Sequence, residues 1–175
     1  LCNSISKNIR LIVTKHNKMD RNTYSTLLTK KSFWEMFHGE KLLIYQEDSC
    51  IFHNNYQEFL KYDYIGAPWK SNSIFNSYKL VGNGGFSLRT KKVMIDICER
   101  FPIEKHKKSN LSICGTKKWN SYLLPEDRYF SEVMIQENIG NLGSYEDAVK
   151  FGEEIVKSEK SFGGHQFWLA STQWK

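Results

Sequence analysis

The stretch LLIYQEDSCIF, residues 42–52, decides which fold class the sequence predicts. Its leading apolar residues, 42–45, suit a strand that is covered on both faces, as at the centre of a mostly parallel sheet. Ligands of such sheets bind beyond the carboxyl ends of the strands, where Gln46, Glu47 and Asp48 fall. We therefore expect Asp48 to be a functional carboxylate. An Asp-Ser dipeptide also begins Asx turns readily, so a purely structural interpretation stands beside the functional one.

Strands and helices alternate on either side of this stretch. The β-branched run at residues 9–14 predicts a first strand, and the apolar spacing over residues 23–37 predicts a helix that crosses over to the next strand. An apolar stripe predicts another helix over residues 91–101, and a proline with two acids suits a helix start at residue 125. The sequence thus predicts an α/β fold with a mostly parallel central sheet flanked by helices.

The length of 175 residues predicts one domain that spans residues 1–175, and a hydrophobic fraction of 40% argues against disorder. The polar segments 70–79 and 102–120 suit surface loops. No apolar run approaches the roughly 18 residues of a membrane helix, and no signal pattern opens the chain, so we expect no membrane span and a cytoplasmic location. The four cysteines lack metal-type spacing, which also favours a reducing compartment.

The net charge of +6 favours an anionic partner. The lysines occur in scattered pairs and triplets, and a merely solvated surface accounts for most of them. A nucleotide diphosphate and a nucleic acid both suit the remaining charge. No helix-turn-helix, RNP or zinc-finger signature accompanies the lysines, so we expect no sequence-specific binding of nucleic acid.

Three further stretches carry candidate functional residues. Three glycines within residues 82–85 allow the backbone to approach a ligand closely, although a tight turn alone would also explain them. Glu126 and Asp127 begin a predicted helix, where acids act equally well as caps. Trp69 follows a proline and suits either a stacking platform for a sugar or base or a place in the core. Finally, His165 lies in a tail rich in glycine and aromatic residues, where a lone histidine is usually structural.

These stretches, in this order, resemble the GT-A fold of nucleotide-sugar glycosyltransferases, with its DxD motif, glycine-rich loop, xED motif and C-terminal histidine. More closely, four strings look like a glycosyltransferase-related domain family that is catalogued as of unknown function. The resemblance covers residues 23–168. The strings are YQEDSCIF, YDYIGAPW, VGNGGFSLR and PEDRYFS.

The resemblance implies a role for each matching residue. Asp48 would be the last acid of the DxD motif and would bind Mn²⁺ or Mg²⁺ bridging the donor diphosphate, with His165 approaching the same metal. Asp127, with Glu126 behind it, would be the base that deprotonates the acceptor hydroxyl in an inverting displacement. The residues implied in donor binding are Gln46, Glu47, Asp48, Trp69, Gly84 and Gly85.

Two features depart from the GT-A pattern. Gln46 stands where the first acid of the DxD motif belongs, which leaves less charge for a metal. Moreover, only 47 residues precede Asp48, whereas GT-A enzymes place a longer nucleotide-binding half there. The base-binding part is therefore either abbreviated or located upstream of this chain.

We expect a glycosyltransferase that moves a sugar from a nucleotide-sugar donor to a glycan or protein acceptor. The alternative is a carbohydrate- or nucleotide-binding module that kept the fold and lost turnover. A basic nucleic-acid-binding domain is a third hypothesis. A glycoside hydrolase with Asp48 and Asp127 as its carboxylate pair is a fourth, and it requires the two carboxyl groups to lie about 5–10 Å apart.

Overall fold

A computed structural model describes residues 9–10, 12–13, 19–69, 81–104 and 124–169. The predicted loop 70–79 and all but the first three residues of the predicted loop 102–120 lie outside the described residues. The helices are α1 (Arg21–Leu28), α2 (Lys31–Glu35), α3 (Lys91–Arg100), α4 (Glu126–Glu137) and α5 (Tyr145–Phe151). The strands are β1 (Lys41–Tyr45), β2 (Ser49–Ile51), β3 (Tyr64–Gly66), β4 (Phe86–Thr90), β5 (Gly152–Glu153) and β6 (Gly163–His165). Two 3₁₀ turns span Tyr56–Phe59 and Phe167–Leu169.

The strands form two small sheets, so the chain is α/β, as predicted. In the first sheet, with the order β1-β4-β3, β4 runs antiparallel to both neighbours. In the second sheet, with the order β2-β6-β5, β6 is antiparallel to β2 and parallel to β5. The prediction of a mostly parallel sheet is therefore wrong for the described strands. A short apolar run suits a covered strand in either kind of sheet, so residues 42–45 carried no information on strand direction.

The strand at the centre of the first sheet is β4 rather than β1. All five residues of β4 are buried, whereas β1 is half-buried and ends at Tyr45, which is 52% exposed. Burial of β1 on both faces, as predicted from its apolar residues, is thus not observed. Strand β4 separates two groups of core residues. Phe86 and Leu88 belong to one group, and Arg89 contacts the other.

Antiparallel pairing explains how the polar residues after β1 reach the glycine-rich segment. Tyr45 pairs with Phe86, so the end of β1 lies beside the beginning of β4. The Gln46 N–H accordingly donates to the Gly85 carbonyl over 3.0 Å. The segment that precedes β4, Gly82–Gly85, is called the glycine turn below.

Helices α1 to α4 pack against one face of this sheet, and α5 packs against the other. The first core cluster contains residues of α1 to α4 and of the sheet. The second contains residues of the sheet, α5 and the first 3₁₀ turn. Fully buried members of the first cluster include Trp34, Tyr64, Met94, Ile97, Tyr129, Phe130 and Val133. Fully buried members of the second cluster include Phe59, Ile65, Val81, Phe86, Ala148 and Phe151.

The predicted helix over residues 23–37 is divided into α1 and α2. Asp20 caps α1 by accepting from the Thr23 N–H over 2.9 Å. The Trp34 Nε1–H donates to the Leu28 carbonyl over 2.7 Å, and this buried bond links the end of α1 to α2. Of the predicted first strand at 9–14, the four described residues belong to no strand. None of the helices in the described part of the chain has both the length and the apolar character needed to cross a membrane.

Candidate functional site

The predicted DxD residues form a tight turn between β1 and β2. The Ser49 N–H donates to the Gln46 carbonyl over 3.0 Å, and the Ser49 hydroxyl donates to the Gly85 carbonyl over 3.1 Å. Gln46 and Asp48 are half-buried in this turn, whereas Glu47 is exposed. The turn therefore directs Gln46 and Asp48 toward the protein and Glu47 away from it.

Pairing of β2 with β6 brings His165 beside Asp48. Ser49 is the register partner of His165, and Asp48 precedes Ser49. The His165 Nε2 atom lies 3.1 Å from Asp48 Oδ1. The other carboxylate oxygen of Asp48 accepts from the Gln166 side chain over 2.8 Å, which fixes the orientation of the carboxylate. The two predicted metal ligands are thus adjacent.

The imidazole of His165 is buried between two carboxylates. Its Nδ1 atom lies 3.4 Å from Glu154 Oε1, opposite the contact with Asp48. Neither contact has the geometry of a hydrogen bond, and both ring nitrogens lack a hydrogen-bond partner among the described residues. A Cβ atom at Gly85 would lie 2.4 Å from the ring, so only glycine allows this placement of His165.

Asn83 and Glu154 are site residues that sequence reasoning missed. Asn83 is buried, and its amide donates to Glu154 Oε2 over 2.7 Å. The Asn83 amide oxygen accepts from the Gly85 N–H over 3.0 Å, so one side chain links the glycine turn to Glu154. An asparagine between glycines is a signal for a side-chain-stabilised turn, which would have found Asn83. Glu154 lies in a run of charged residues that gave no such signal.

Glu126 is paired with Arg89, a partner that sequence reasoning also missed. Arg89 Nη1 donates to Glu126 Oε2 over 2.6 Å and Nη2 donates to Oε1 over 3.0 Å. Arg89 is fully buried, and its guanidinium lies 4.4 Å from the centre of the Tyr64 ring. Burial alone would lower the pKa of Arg89, but the Glu126 carboxylate outweighs it and the pKa is raised. Both oxygens of Glu126 are therefore engaged, and Glu126 is not a free base.

Asp127 follows Glu126 on the first turn of α4 and keeps part of its side chain exposed. Desolvation by the surrounding protein raises the pKa of Asp127, the Glu126 carboxylate raises it further, and the result is about 7. Hydrogen bonds from the Arg128 and Gly84 N–H groups, together with the charge of Arg89, oppose this rise without cancelling it. Asp127 is thus a carboxyl group that changes protonation state near neutral pH.

Gly84 separates these two acids from the rest of the glycine turn. A Cβ atom at Gly84 would lie 2.2 Å from Glu126 Oε1 and 3.2 Å from the Asp127 Cβ. The side of the turn at Gly84 therefore faces α4, while Gly85 contacts His165. The structure thus brings four predicted stretches together at one turn.

Tyr24 contributes a further polar group to this site. Its hydroxyl is buried and interacts with the Gln46 side chain. Burial, followed by the charge of Glu126, raises the pKa of Tyr24 to about 12, so the hydroxyl keeps its proton. Sequence reasoning assigned Tyr24 only to a helix.

Two predicted features, the stacking platform at Trp69 and the metal site, are incomplete among the described residues. Trp69 is partly exposed and follows the bridge between Pro68 and Val81, and residues 70–80 beyond it lie outside the described part of the chain. In the described ranges no three His, Cys, Asp or Glu side chains are grouped to hold a metal ion. The protein therefore offers the pair Asp48 and His165 rather than a complete set of metal ligands.

Comparison with known proteins gives a family and no further relative. A family model described as a protein of unknown function (DUF5672) matches residues 8–165, a range that includes every site residue predicted from the sequence. No curated protein and no solved structure matches the chain.

Proposed function

The chain belongs to the DUF5672 family, whose function is unknown, and we propose from the geometry of its own residues that it is a glycosyltransferase. It transfers a sugar from a nucleotide-sugar donor to a hydroxyl of a glycan or protein acceptor, with inversion and with the help of Mn²⁺ or Mg²⁺. The GT-A resemblance of the four sequence strings supports the same proposal.

The observation that carries the proposal is the meeting of two kinds of group at the glycine turn. On the Gly85 side lie Asp48 and His165, whose facing atoms are 3.1 Å apart. On the Gly84 side lies Asp127, whose pKa is raised to about 7. A nucleotide-sugar transferase needs both, because one end of the reaction releases a diphosphate and the other removes a proton.

The distance between Asp48 and His165 supports a shared metal ion. Adjacent ligands of an octahedral ion with bonds of about 2.0–2.1 Å lie about 3 Å apart. Oδ1 and Nε2 are separated by 3.1 Å, and Nε2 has no hydrogen-bond partner among the described residues. When bound, Mn²⁺ or Mg²⁺ would supply positive charge against the departing diphosphate. Mg²⁺ usually takes its remaining ligands from water and substrate phosphates, which agrees with only two protein ligands.

Asp127 supports the second half of the reaction. The acceptor oxygen forms a bond to the anomeric carbon, the bond from that carbon to the diphosphate oxygen breaks, and the acceptor proton goes to the Asp127 carboxylate. A base whose pKa is about 7 is well matched to neutral pH. Glu126, held by Arg89, acts only by raising the proton affinity of Asp127.

The alternative of a binding module that has lost turnover is favoured by one observation. Gln46 replaces the first acid of the DxD pattern, and its half-buried side chain lies beside the Tyr24 hydroxyl rather than adding a charge. Such a module would bind a nucleotide sugar without transferring or hydrolysing it.

A thermal-shift panel tests the proposal. UDP, GDP, CMP and their sugars are each added with Mn²⁺, Mg²⁺ or EDTA, and the melting temperature is measured. We expect one nucleotide to raise it in the presence of metal and not with EDTA. The same samples are then assayed for release of free sugar from the donor, because slow hydrolysis separates an enzyme from a binding module. No rise with any nucleotide contradicts the proposed donor site.

A further inference from the structure

We infer that Asn83 is a positioning residue for Asp127, because it closes the glycine turn so that the Gly84 N–H points at the Asp127 carboxylate. This inference rests on the proposed function, since it concerns the carboxylate that would take the acceptor proton. It assigns a role to a residue of the glycine turn for which the GT-A resemblance implies none.

The four backbone N–H groups of the glycine turn all have acceptors in the described structure. Those of its first two residues donate to the Ala67 carbonyl over 3.3 and 3.1 Å. That of Gly85 donates to the Asn83 side chain over 3.0 Å. The remaining one, that of Gly84, donates to the Asp127 carboxylate. The turn therefore uses three of its N–H groups for its own structure and directs the fourth at Asp127.

The Asn83 side chain fixes the direction of the Gly84 N–H. An asparagine that accepts from the N–H two residues later forms an Asx turn, which fixes the peptide groups between the two residues. Gly84 lies between Asn83 and Gly85. The Asn83 side chain is itself anchored, because its amide donates to Glu154 Oε2 over 2.7 Å and the residue is only 8% exposed. It therefore cannot rotate without breaking two hydrogen bonds.

Two N–H groups together orient the Asp127 carboxylate. The Arg128 N–H donates to Oδ1 over 2.8 Å, and the Gly84 N–H reaches the carboxylate from outside α4. A Cβ atom at Gly84 would lie 2.2 Å from Glu126 Oε1, so a larger residue could not bring its N–H as near. A hydrogen bond from an N–H group favours the ionised carboxylate. The Gly84 N–H thus helps to keep Asp127 in the form that can accept a proton.

The other groups that act on Asp127 come from four elements of the fold. Replacing Asn83 leaves all of them in place, so a change in the titration of Asp127 reports on the Gly84 N–H. These groups are Glu126 and Arg128 on α4, Arg89 on β4, Tyr64 on β3 and Tyr24 on α1.

The test is a titration of the Asp127 side-chain carboxyl in the full chain, followed by carbon-13 NMR. Asn83→Ala removes the acceptor of the Gly85 N–H. The midpoint should then move up from about 7 by about one pH unit, which is the effect of losing one hydrogen bond to a charged group. Asn83→Ser keeps a weaker acceptor and should move the midpoint less. Asn141→Ala, the control, removes an exposed side chain that donates to the Lys61 carbonyl, and it should leave the midpoint unchanged.

Turnover gives a second readout. In Asn83→Ala, the pH above which kcat/KM for donor hydrolysis levels off should move up together with the NMR midpoint. A purely structural role of Asn83 would lower the activity at every pH without moving this point.

The NMR titration needs no substrate, so its result is separate from the fate of the proposed function. If Asn83→Ala titrates at the same pH as the unmodified protein, the inference is overturned even where sugar transfer is found. If the unmodified protein neither transfers nor hydrolyses a nucleotide sugar, the proposed function fails, and an upward shift in Asn83→Ala still supports the role of Asn83. If Asn83→Ala does not fold, Asn83→Ser decides, since an unmoved midpoint overturns the inference.

Discussion

Two pairs of acidic and basic residues lie on either side of the glycine turn, and they differ in how completely their polar atoms are satisfied. Arg89 and Glu126 form two hydrogen bonds of 2.6 and 3.0 Å, and Arg89 Nε donates in addition to Ser87. Asp48 and His165 are nearly as close, at 3.1 Å, yet no hydrogen bond joins them and both ring nitrogens lack a partner among the described residues.

The difference separates a pair whose polar atoms are satisfied from the pair that we propose binds a ligand. A buried ion pair in which each nitrogen and each carboxylate oxygen has a hydrogen-bond partner has little left to offer a substrate, and breaking it is costly. A buried imidazole that lies between two acids without a hydrogen bond to either has ring nitrogens whose hydrogen-bonding capacity is unsatisfied. The comparison therefore predicts that substitutions in the Arg89 and Glu126 pair will lower stability. Substitutions in the Asp48 and His165 pair should instead weaken ligand binding.

The largest effect should come from Arg89→Met. This substitution leaves the buried Glu126 carboxylate without a partner, and we expect it to destabilise the protein by about 3–5 kcal/mol. Urea unfolding followed by circular dichroism measures the loss. Adding Glu126→Gln removes the unpaired charge and should recover part of the stability.

Arg100→Met is the matched control for that experiment. Arg100 pairs with Asp96 on the exposed surface of α3, with side-chain exposures of 54% and 43%. Its removal should change the free energy of unfolding by no more than about 0.5 kcal/mol. A loss from Arg89→Met as small as that of the control would remove the distinction between the two pairs.

The next largest effect should come from Asp127→Asn. Loss of the general base should lower kcat by about 10²- to 10⁴-fold, while the affinity for the donor stays the same. The measurement is steady-state transfer or donor hydrolysis beside a binding titration. Glu137→Gln, at the exposed end of α4, is the control and should keep full activity. A variant at Asp127 that turns over normally would mean that the acid serves only the helix.

A smaller effect is expected from Asp48→Asn, and it should appear in binding rather than in stability. The amide cannot replace the negative charge facing His165, so metal-dependent donor binding should weaken by at least about tenfold. The melting temperature should remain close to that of the unmodified protein, since Asp48 is half-buried and only one of its carboxylate oxygens accepts a hydrogen bond in the described structure. Asp96→Asn is the control, because the Asp96 side chain is 43% exposed. Unchanged donor affinity for Asp48→Asn would contradict a role in metal binding.

The smallest effects should appear as changes with pH. Asp127 must be ionised to accept a proton, so kcat/KM should rise with pH and level off above about pH 7. Stability should change in the opposite direction. The folded-state pKa, about 7, lies above the ordinary value of 3.8, so the folded protein holds this proton more tightly than the unfolded chain does.

That contribution to stability is fully present below about pH 4 and is lost as the pH rises through 7. The asparagine of Asp127→Asn cannot ionise, so this variant does not lose stability in this way as the pH rises. The melting temperature of the variant should therefore rise relative to that of the unmodified protein between pH 5 and pH 8. A constant difference between the two proteins over this range would show that the pKa of Asp127 is not raised.

Much of the secondary structure could be predicted from local pattern. The apolar stripe over 91–101 predicts α3, in which Met94, Ile97 and Cys98 are buried, and the proline followed by two acids predicts the start of α4. Strand direction could not be predicted, because the apolar residues of β1 carry no information about which neighbour they meet. Pairing was decided by residues about forty positions away, where Tyr45 meets Phe86.

The site itself was only half visible in the sequence. Residues with marked local chemistry, such as Asp48, Asp127 and His165, were identified because acids at a strand end or a helix start are unusual in themselves. Arg89 and Glu154 were not, since their importance comes entirely from partners distant in the chain. Arg89 reads as an ordinary polar position in an alternating strand, and its burial among Tyr64 and other rings appears only when α2, β3 and α4 are assembled around it.

Because its two adjacent glycines contact different groups, the glycine turn allows a mutation to disturb one half of the site and not the other. An alanine at Gly84 would collide first with Glu126, and one at Gly85 would collide first with His165. A library of variants at these two neighbouring positions should therefore divide into two phenotypes, one that accumulates poorly in cells and one that accumulates normally and binds no metal. Revertants of the first class should map to the surroundings of Arg89, and those of the second to the surroundings of Glu154.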